Sequence, residues 1–541
     1  MHPKSDAVVH GMESLGGPMA TNSESTKPFG PESIERIYRQ KVRPGTFRRV
    51  EDVRQPLGPA VVWRRRRVVW LNDATGDAQG LCINELRVGR LAQARIEPLA
   101  AQAAPDVPWR FDDVEHAYWQ TCWAGGALRQ DRGVKASRLF LNLSQLYSAA
   151  PGQGPSPLWE DLESIQRRVT GAAASSGPSP EELAAVEAFG PVARPQDGSP
   201  WAAARFLPAF RPSVTLEQDS DIIAMTNGGY FLNFPEEYDD GVSALHEPVG
   251  AMVASERLLM PPWIERPAAV ECRDGARSIE LLGPENLSLR MADGLGVSLV
   301  RGIREPQAEA TVWRAFDGPL PAAPDHCVDL VFAGAQLLRL ARPGLHQPPH
   351  GGAIVRLHGA AAEPWLARIN SPLPAALPPF ELLLVTTSAS PVRWAMAAGP
   401  RLLSGGRTIP AGALLESDAA GEFRAGGPPP TRFPYDADRT RAPRTAIGLG
   451  PDGEWIMTVV DGRADPAHSV GATLEELSSI MWELGAMHAL NLDGGGSSIM
   501  AIAGLKPAEQ VRPGLAPGIA NLPSDPGHRE RIVPAALVIR R

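Results

Sequence analysis

Cysteine is scarce in this sequence: four residues in 541, Cys82, Cys122, Cys272 and Cys327, widely scattered and without any C-x-x-C spacing. That spacing supports neither a disulfide framework nor a zinc site. Long apolar runs are also missing. Stretches such as residues 382–385 fall far short of the roughly 20 residues a membrane helix needs, so integral membrane insertion is not expected. Positive charge is not in excess, the net charge being -8, which argues against a general nucleic-acid binder. The one dense basic run, Arg64-Arg65-Arg66-Arg67, lies between Val61-Val62-Trp63 and Val68-Val69-Trp70 and reads as a charged edge or loop of a β unit. Residues 1–29 are rich in Ser, Gly, Pro and charge but have no apolar h-region; no signal peptide is recognisable, and this N-terminus gives a cytoplasmic expectation. No internal repeat is found. The hydrophobic fraction of 43% is ordinary for a globular chain, and 541 residues make two domains the default.

The most informative segment is Ala489-Leu490-Asn491-Leu492-Asp493-Gly494-Gly495-Gly496-Ser497-Ser498, an apolar run ending in a carboxylate, three glycines and two hydroxyls. Alternate side chains share a strand face, so Asn491 and Asp493 should point the same way. The glycines allow close backbone approach to a ligand, and successive N–H groups in such a turn can cradle anionic oxygens. The plainer reading is a Gly-rich bulge with Asp493 as a turn residue. Upstream, Thr473 and Glu476 spell a capping box, while Leu474, Leu477, Ile480, Met481 and Leu484 recur at helical spacing. Gly485 is placed to end that helix in a left-handed cap, and residues 487–493 read as a mostly buried strand. Before the helix, residues 444–461 read as a hairpin turning at Pro451-Asp452-Gly453, which leaves Asp461 at a second strand end.

A further strand end, Ile222-Ile223-Ala224-Met225-Thr226-Asn227-Gly228-Gly229-Tyr230-Phe231, joins an amide and two glycines to two aromatics. Asn-Gly favours a type I′ turn, and the same residues would also suit a sugar pocket. Residues 35–150 hold strand-like pieces and several tryptophans, Trp109, Trp119 and Trp123, consistent with a small β-rich or α/β module after a disordered segment at 1–34. Residues 151–204 read as a linker with two short helices, over 158–169 and from Ser179 onward. From 205 the chain is expected to be sheet-dominated α+β with few helices, and the Pro-, Ala- and Gly-heavy stretch from 300 to 380 reads as irregular insertion.

The ordered set Thr226-Asn227-Gly228-Gly229-Tyr230-Phe231, Gly399-Pro400-Arg401-Leu402-Leu403-Ser404-Gly405-Gly406, Arg444-Thr445-Ala446-Ile447-Gly448, Val460-Asp461-Gly462-Arg463 and Leu490 to Ser498 resembles the phosphodiester glycosidase family. Asn521-Leu522-Pro523-Ser524 and Glu530-Arg531-Ile532-Val533 look like that family's close. The resemblance runs from about residue 206 to the end and makes 205–541 a phosphodiester glycosidase-like domain. It implies hydrolysis of a sugar-1-phosphodiester, of N-acetylglucosamine-1-phosphodiester type, at the anomeric carbon, with a sugar phosphate or phosphoglycan as substrate. The family is often secreted or lumenal, against the cytoplasmic expectation above.

Such a substrate dictates what to look for. A phosphate monoester has its second pKa at about 6, so as a leaving group it needs little protonation. A carboxylate must attack the anomeric carbon or activate water, and cationic and N–H groups must hold the phosphate. Asp493 is the expected carboxylate, with Asp461 as partner. Arg444 and the backbone of Gly494, Gly495, Gly496 and Ser497 are expected at the phosphate, since guanidinium matches phosphate oxygens in pairs. Asn227, Gly228, Gly229 and Asn491 are expected around the sugar. Each residue also has a plainer role: Asp461 as a turn acid, Arg444 as a solvated edge charge, Ser497 as a turn cap. His468 and His488 fall nearby, His488 on the strand face opposite Asn491. No cofactor is expected: a divalent cation on Asp493 and Asp461 would suit their chemistry, but oxygen ligands far apart in sequence form no metal spacing. Two other classes stay open, a serine hydrolase using Ser497, which lacks the G-x-S-x-G elbow, and a non-catalytic glycan-binding module.

Overall fold

The computed structural model describes residues 45–72, 78–90, 94–100, 205–206, 211–231, 244–245, 248–290, 296–314, 317, 320–321, 326–333, 335–343, 352–366, 381–388, 390–408, 440–528, 530–531 and 533–541. The segment expected to be disordered, the linker with its two helices, and Trp109, Trp119 and Trp123 lie outside these residues. Eleven strands frame the site: β1 Gly45–Gly58, β2 Val61–Asn72, β3 Ala78–Val88, β4 Arg95–Ala100, β5 Ile222–Asn227, β6 Arg401–Ser404, β7 Arg444–Leu449, β8 Trp455–Val460, β9 His488–Asn491, β10 Met500–Ile502 and β11 Ala535–Arg540. Eight strands form one sheet in the order β1-β2-β3-β8-β7-β9-β6, with Arg407–Thr408 at the far edge. A four-stranded sheet runs β10-β5-β11-β4.

The two sheets pack face to face because their apolar residues alternate with period two and both faces are covered. Trp455, Met457 and Val459 of β8, Ile447 of β7 and Leu490 of β9 meet Met500, Ile502, Leu537 and Ile539 of the smaller sheet. The intervening residues Ile456, Val460, Ala446 and Ala489 face outward onto Leu474, Leu477, Ile480 and Met481 of the helix Leu474–Glu483. On the far side of the smaller sheet, Met225, Ala501, Ala536 and Val538 cover Leu216 of the helix Pro212–Gln218. The molecule is thus sheet-dominated α+β, as its patterning suggests.

The expected hairpin and capped helix form as read. Thr473 accepts from the Glu476 N–H and Glu476 accepts from the Thr473 N–H, at 3.1 and 3.0 Å. Gly485 takes φ +90° after the helix.

Strands of the expected 35–150 module pair with strands of 205–541: β3 pairs with β8 along six residue pairs from Val88↔Trp455 to Ile83↔Val460, and β4 pairs with β11. Two expectations are corrected. The arginine run is neither edge nor loop, since β2 lies between β1 and β3. Its charges are matched within the ladder, Arg64 with Asp52 at 2.6 Å, Arg65 with Glu51, and Arg66 with Glu85. The stretch from 300 to 380 builds a five-stranded sheet from Val300–Arg301, Ala310–Trp313, Gly352–Leu357, Val328–Ala333 and Gln336–Ala341. Its strands are short β-branched runs with a buried cluster of Val312, Val328, Leu330 and Val355, while the prolines that dilute the pattern fall largely between them.

Candidate active site

β9 ends at Asn491, and the chain leaves the sheet as a tight turn with one 3₁₀ turn at Gly495–Ser497. Asp493 is fixed by its backbone, its N–H donating to Gly228 O at 3.1 Å and its carbonyl accepting from Asn227 Nδ2 at 2.7 Å. Its carboxyl is partly buried and accepts from the Gly494 N–H at 2.8 Å. Desolvation pushes its pKa up to about 6, against the lowering pull of the Ser497 hydroxyl, the Arg531 guanidinium and the Gly494 N–H. The Ser497 hydroxyl lies beside this carboxyl yet has no partner that meets hydrogen-bond geometry. No histidine bonds it among the described residues, so a Ser-His relay is not assembled there.

The glycine turn has three distinct reasons for its composition. Gly495 adopts φ +63°, a left-handed conformation that favours glycine. A Cβ on Gly496 would overlap Arg531 Nη2 and Asp525 Oδ1, because that bidentate pair, at 2.9 and 3.0 Å, lies directly on the Gly496 backbone. A Cβ on Gly494 would stand 3.1 Å from Pro443 O. The expected row of outward N–H groups is mostly consumed: Gly494 donates to Asp493, and Gly495 donates to Pro443 O at 2.9 Å. Asn521 braces the turn from behind, accepting from Met500 N–H and donating to Ser498 O.

Arg463 follows Asp461-Gly462 at the end of β8 with φ +61°, a strained position for a branched-off side chain. The residue is exposed, and its Nη1 stands 3.4 Å from where a Cβ on Gly495 would be. Although the residue as a whole is exposed, partial desolvation of the guanidinium in the turn and the nearby Arg531 pull its pKa down, and Asp525 opposes them. It makes no hydrogen bond or ion pair among the described residues. Asp493, Asp525, Arg531, Arg463 and the glycine turn therefore form one constellation.

Several expected ligand contacts are placed otherwise. Asn227 is 1% exposed and spends its whole amide internally, accepting from Thr445 Oγ1 and Ile499 N–H and donating to Asp493 O and Gly228 O. It clamps three segments together. Gly228 and Gly229 lack the positive φ of a type I′ turn; they let the chain pass between neighbours, as a Cβ on Gly229 would overlap Ala397 O. Asn491 Nδ2 donates to Tyr230 Oη at 2.6 Å and Gly399 O at 2.8 Å, while its Oδ1 is buried without a geometric partner. Arg444 is buried and donates to Ala472 O and Thr440 O, both at 2.9 Å, so it ties loops together beside Gly494. Asp461 and Asp493 follow strands separated by β7, which sets their backbones roughly 9–10 Å apart by strand spacing. Asp461 is 1% exposed, and its Oδ2 meets His468 Nε2 at 2.7 Å. His488 is half-buried in β9, where burial lowers its pKa.

Arg463, Asp525 and Arg531 were given no role by sequence reasoning. The available signal was weak: a charged residue directly after a strand-ending Asp-Gly, and an acid and a base six residues apart near the C-terminus.

With this geometry in place, residues 373–540 match the family model described as phosphodiester glycosidase, the family the motifs resemble. No curated protein matches the chain. Among solved structures, a hypothetical protein from Synechocystis is similar with 15% identity and a TM-score of 0.41, over 93% of this chain and 64% of that one. This chain thus spans less than two thirds of that protein's length. A putative exported protein from Burkholderia pseudomallei is similar with 19% identity and a TM-score of 0.41, over 92% and 97%. The zebrafish N-acetylglucosamine-1-phosphodiester alpha-N-acetylglucosaminidase catalytic domain, auto-inhibited by its pro-peptide, is similar with 12% identity and a TM-score of 0.36, over 91% and 89%. Among the described residues no helix is long and apolar enough to cross a membrane.

Proposed function

We propose that this protein is a glycosidase-type hydrolase that cleaves a sugar-1-phosphodiester, of N-acetylglucosamine-1-phosphodiester type, at the anomeric carbon. The supporting observation is Asp493: a partly buried carboxyl with a pKa of about 6, set just past a strand end beside the Arg531–Asp525 pair, with the Arg463 guanidinium against Gly495 of the same turn. A carboxyl with that pKa is ionised at neutral pH and remains basic enough to attack the anomeric carbon or to take a proton from water. Arg463 and the Gly496 N–H bind phosphate oxygens, and Arg531 adds positive field held in place by Asp525. Because a phosphate monoester departs with little protonation, no second carboxyl acid is needed next to Asp493.

The test is to incubate wild type and Asp493→Asn with sugar-1-phosphodiesters, nucleotide sugars and aryl glycosides and to follow free sugar. Wild type should release sugar from the phosphodiesters, and the variant, still folded, should lose roughly a thousandfold or more in turnover. Near-normal turnover by Asp493→Asn removes Asp493 from the chemistry. Binding without release by either protein assigns the site to recognition alone.

A further inference from the structure

Away from the glycine turn, Cys82, Asp461 and His468 form a buried cluster whose Sγ, carboxylate O and imidazole N all lie within 4.8 Å of one another. The three residues are 0%, 1% and 6% exposed. Two of them are set by strand register, the Asp461 N–H donating to Cys82 O at 3.1 Å at the end of the β8–β3 ladder. The third arrives on the loop 462–471, which is stitched across β3. Gly80 N–H donates to Pro466 O and Val470 N–H to Gly80 O, both at 2.9 Å. The Ser469 hydroxyl accepts from Cys82 N–H at 3.2 Å and donates to Asp461 O at 2.6 Å. A side chain at 80 would overlap His468 O, so glycine at that position is what lets the loop seat.

The cluster has an unresolved polar group. Asp461 Oδ2 meets His468 Nε2 and the Cys82 thiol lies beside the same carboxylate, yet Oδ1 is buried with no partner that meets hydrogen-bond geometry among the described residues. A buried carboxylate with one oxygen unsatisfied is costly, and a cation at the centre of the triad would satisfy it.

We propose that Cys82, Asp461 and His468 bind a zinc-class divalent cation. One thiolate, one imidazole and one carboxylate are donor types that zinc-class ions take, with bonds of about 2.0–2.3 Å, and three protein donors leave the fourth tetrahedral position to a water carried in with the ion. Binding transfers the Cys82 thiol proton to solvent and places the sulfur lone pair on the metal; His468 presents Nε2 and carries its ring proton at Nδ1. The two anionic ligands and the dication sum to zero charge, which suits a buried site better than a lone carboxylate. The His468–Asp461 contact opens from 2.7 Å to about 3.3 Å in a tetrahedral arrangement, and the Cys82 Sγ, within 4.8 Å of the other two donors, closes onto the ion. The ion would anchor the loop that carries Arg463, independently of what that arginine binds.

The experiment is titration of chelator-treated full-length protein with Co²⁺ alone, followed by absorption spectroscopy and then by Zn²⁺ displacement. The expected result is a thiolate-to-cobalt charge-transfer band that saturates at one equivalent, is erased by Zn²⁺, and is absent in Cys82→Ser. His468→Gln, whose loop keeps the other bonds described above, should weaken the band or abolish it and serves where Cys82→Ser does not fold. A wild-type protein that shows no such band overturns the proposal by itself. A band that persists in Cys82→Ser moves the metal to another cysteine and overturns it equally.

Discussion

At the scale of single residues, the turn after β9 makes Asp493 the group whose ionisation should govern rate. Its folded-state pKa of about 6 lies above the ordinary carboxylate value, chiefly through desolvation. If the ionised form reacts, kcat/KM should fall tenfold per pH unit below about 6 and level off above it; a profile flat down to pH 5 would falsify this role. The same shift has a stability consequence of the opposite sense. Because the folded pKa exceeds the unfolded one, the carboxylate penalises the fold above pH 6, and the penalty fades as pH falls towards about 4. Asp493→Asn should therefore be more stable than wild type at pH 7.5, by on the order of 1 kcal/mol after allowing for partial solvation. Arg463 and Arg444 should separate in the same way. Arg463→Ala should raise KM for phosphodiesters roughly tenfold or more while leaving plain aryl glycosides unchanged, from loss of a charge-assisted contact. Equal effects on both substrates would remove Arg463 from the phosphate. Arg444→Ala, which loses its bonds to Ala472 O and Thr440 O, should act mainly on stability. Asp493 was legible because a carboxylate closing an apolar strand before three glycines is a local pattern. Arg463 was not, because its value depends on Gly495 and Arg531 arriving from elsewhere in the chain.

At the scale of elements, the legible parts were those with their own punctuation. The helix Leu474–Glu483 announces itself by Thr473 and Glu476 and by its apolar spacing, and both halves of the capping box form. Thr473→Ala should accordingly lower stability by about 1 kcal/mol in denaturant unfolding, from loss of the bond that its hydroxyl accepts from the Glu476 N–H. An unaltered midpoint would mean that Arg441, which also pairs with Glu476 at 2.6 Å, holds the helix start without the threonine. The strands between 300 and 380 escaped notice for the reverse reason. Runs as short as Ala310–Trp313 are only four residues long and sit among prolines, so period-two patterning has too few residues to register. The arginine run was misplaced for a related reason: charge suggests a wet edge, but acidic partners on β1 and β3 for Arg64, Arg65 and Arg66, and the Ala467 carbonyl for Arg67, let four consecutive arginines occupy an interior strand.

At the scale of the whole molecule, the decisive pairings join segments far apart in sequence, and nothing local in residues 61–88 points to 455–460. Their consequence is that the N-terminal strands belong to the body that carries the site. Val61, Trp63, Ile83, Leu86 and Val88 are all 0% exposed. At about 1.5–3 kcal/mol per buried apolar side chain, these five alone contribute roughly 8–15 kcal/mol, comparable with the roughly 5–15 kcal/mol total stability of an ordinary domain. Deleting residues 1–100 would also strip the ladder partner from β8, leaving an unpaired apolar edge prone to association. The shortened chain should therefore be insoluble or lack cooperative unfolding, whereas a boundary set at residue 205 by motif alone would have it fold and act. A soluble 205–541 fragment with a sharp thermal transition would show that β8 can stand as an edge and that β1 to β4 are an addition to an otherwise complete core. An insoluble one, rescued by supplying residues 45–100 as a separate chain, would show that the sheet needs β3 next to β8 for Asp461 and Arg463 to be held at its end.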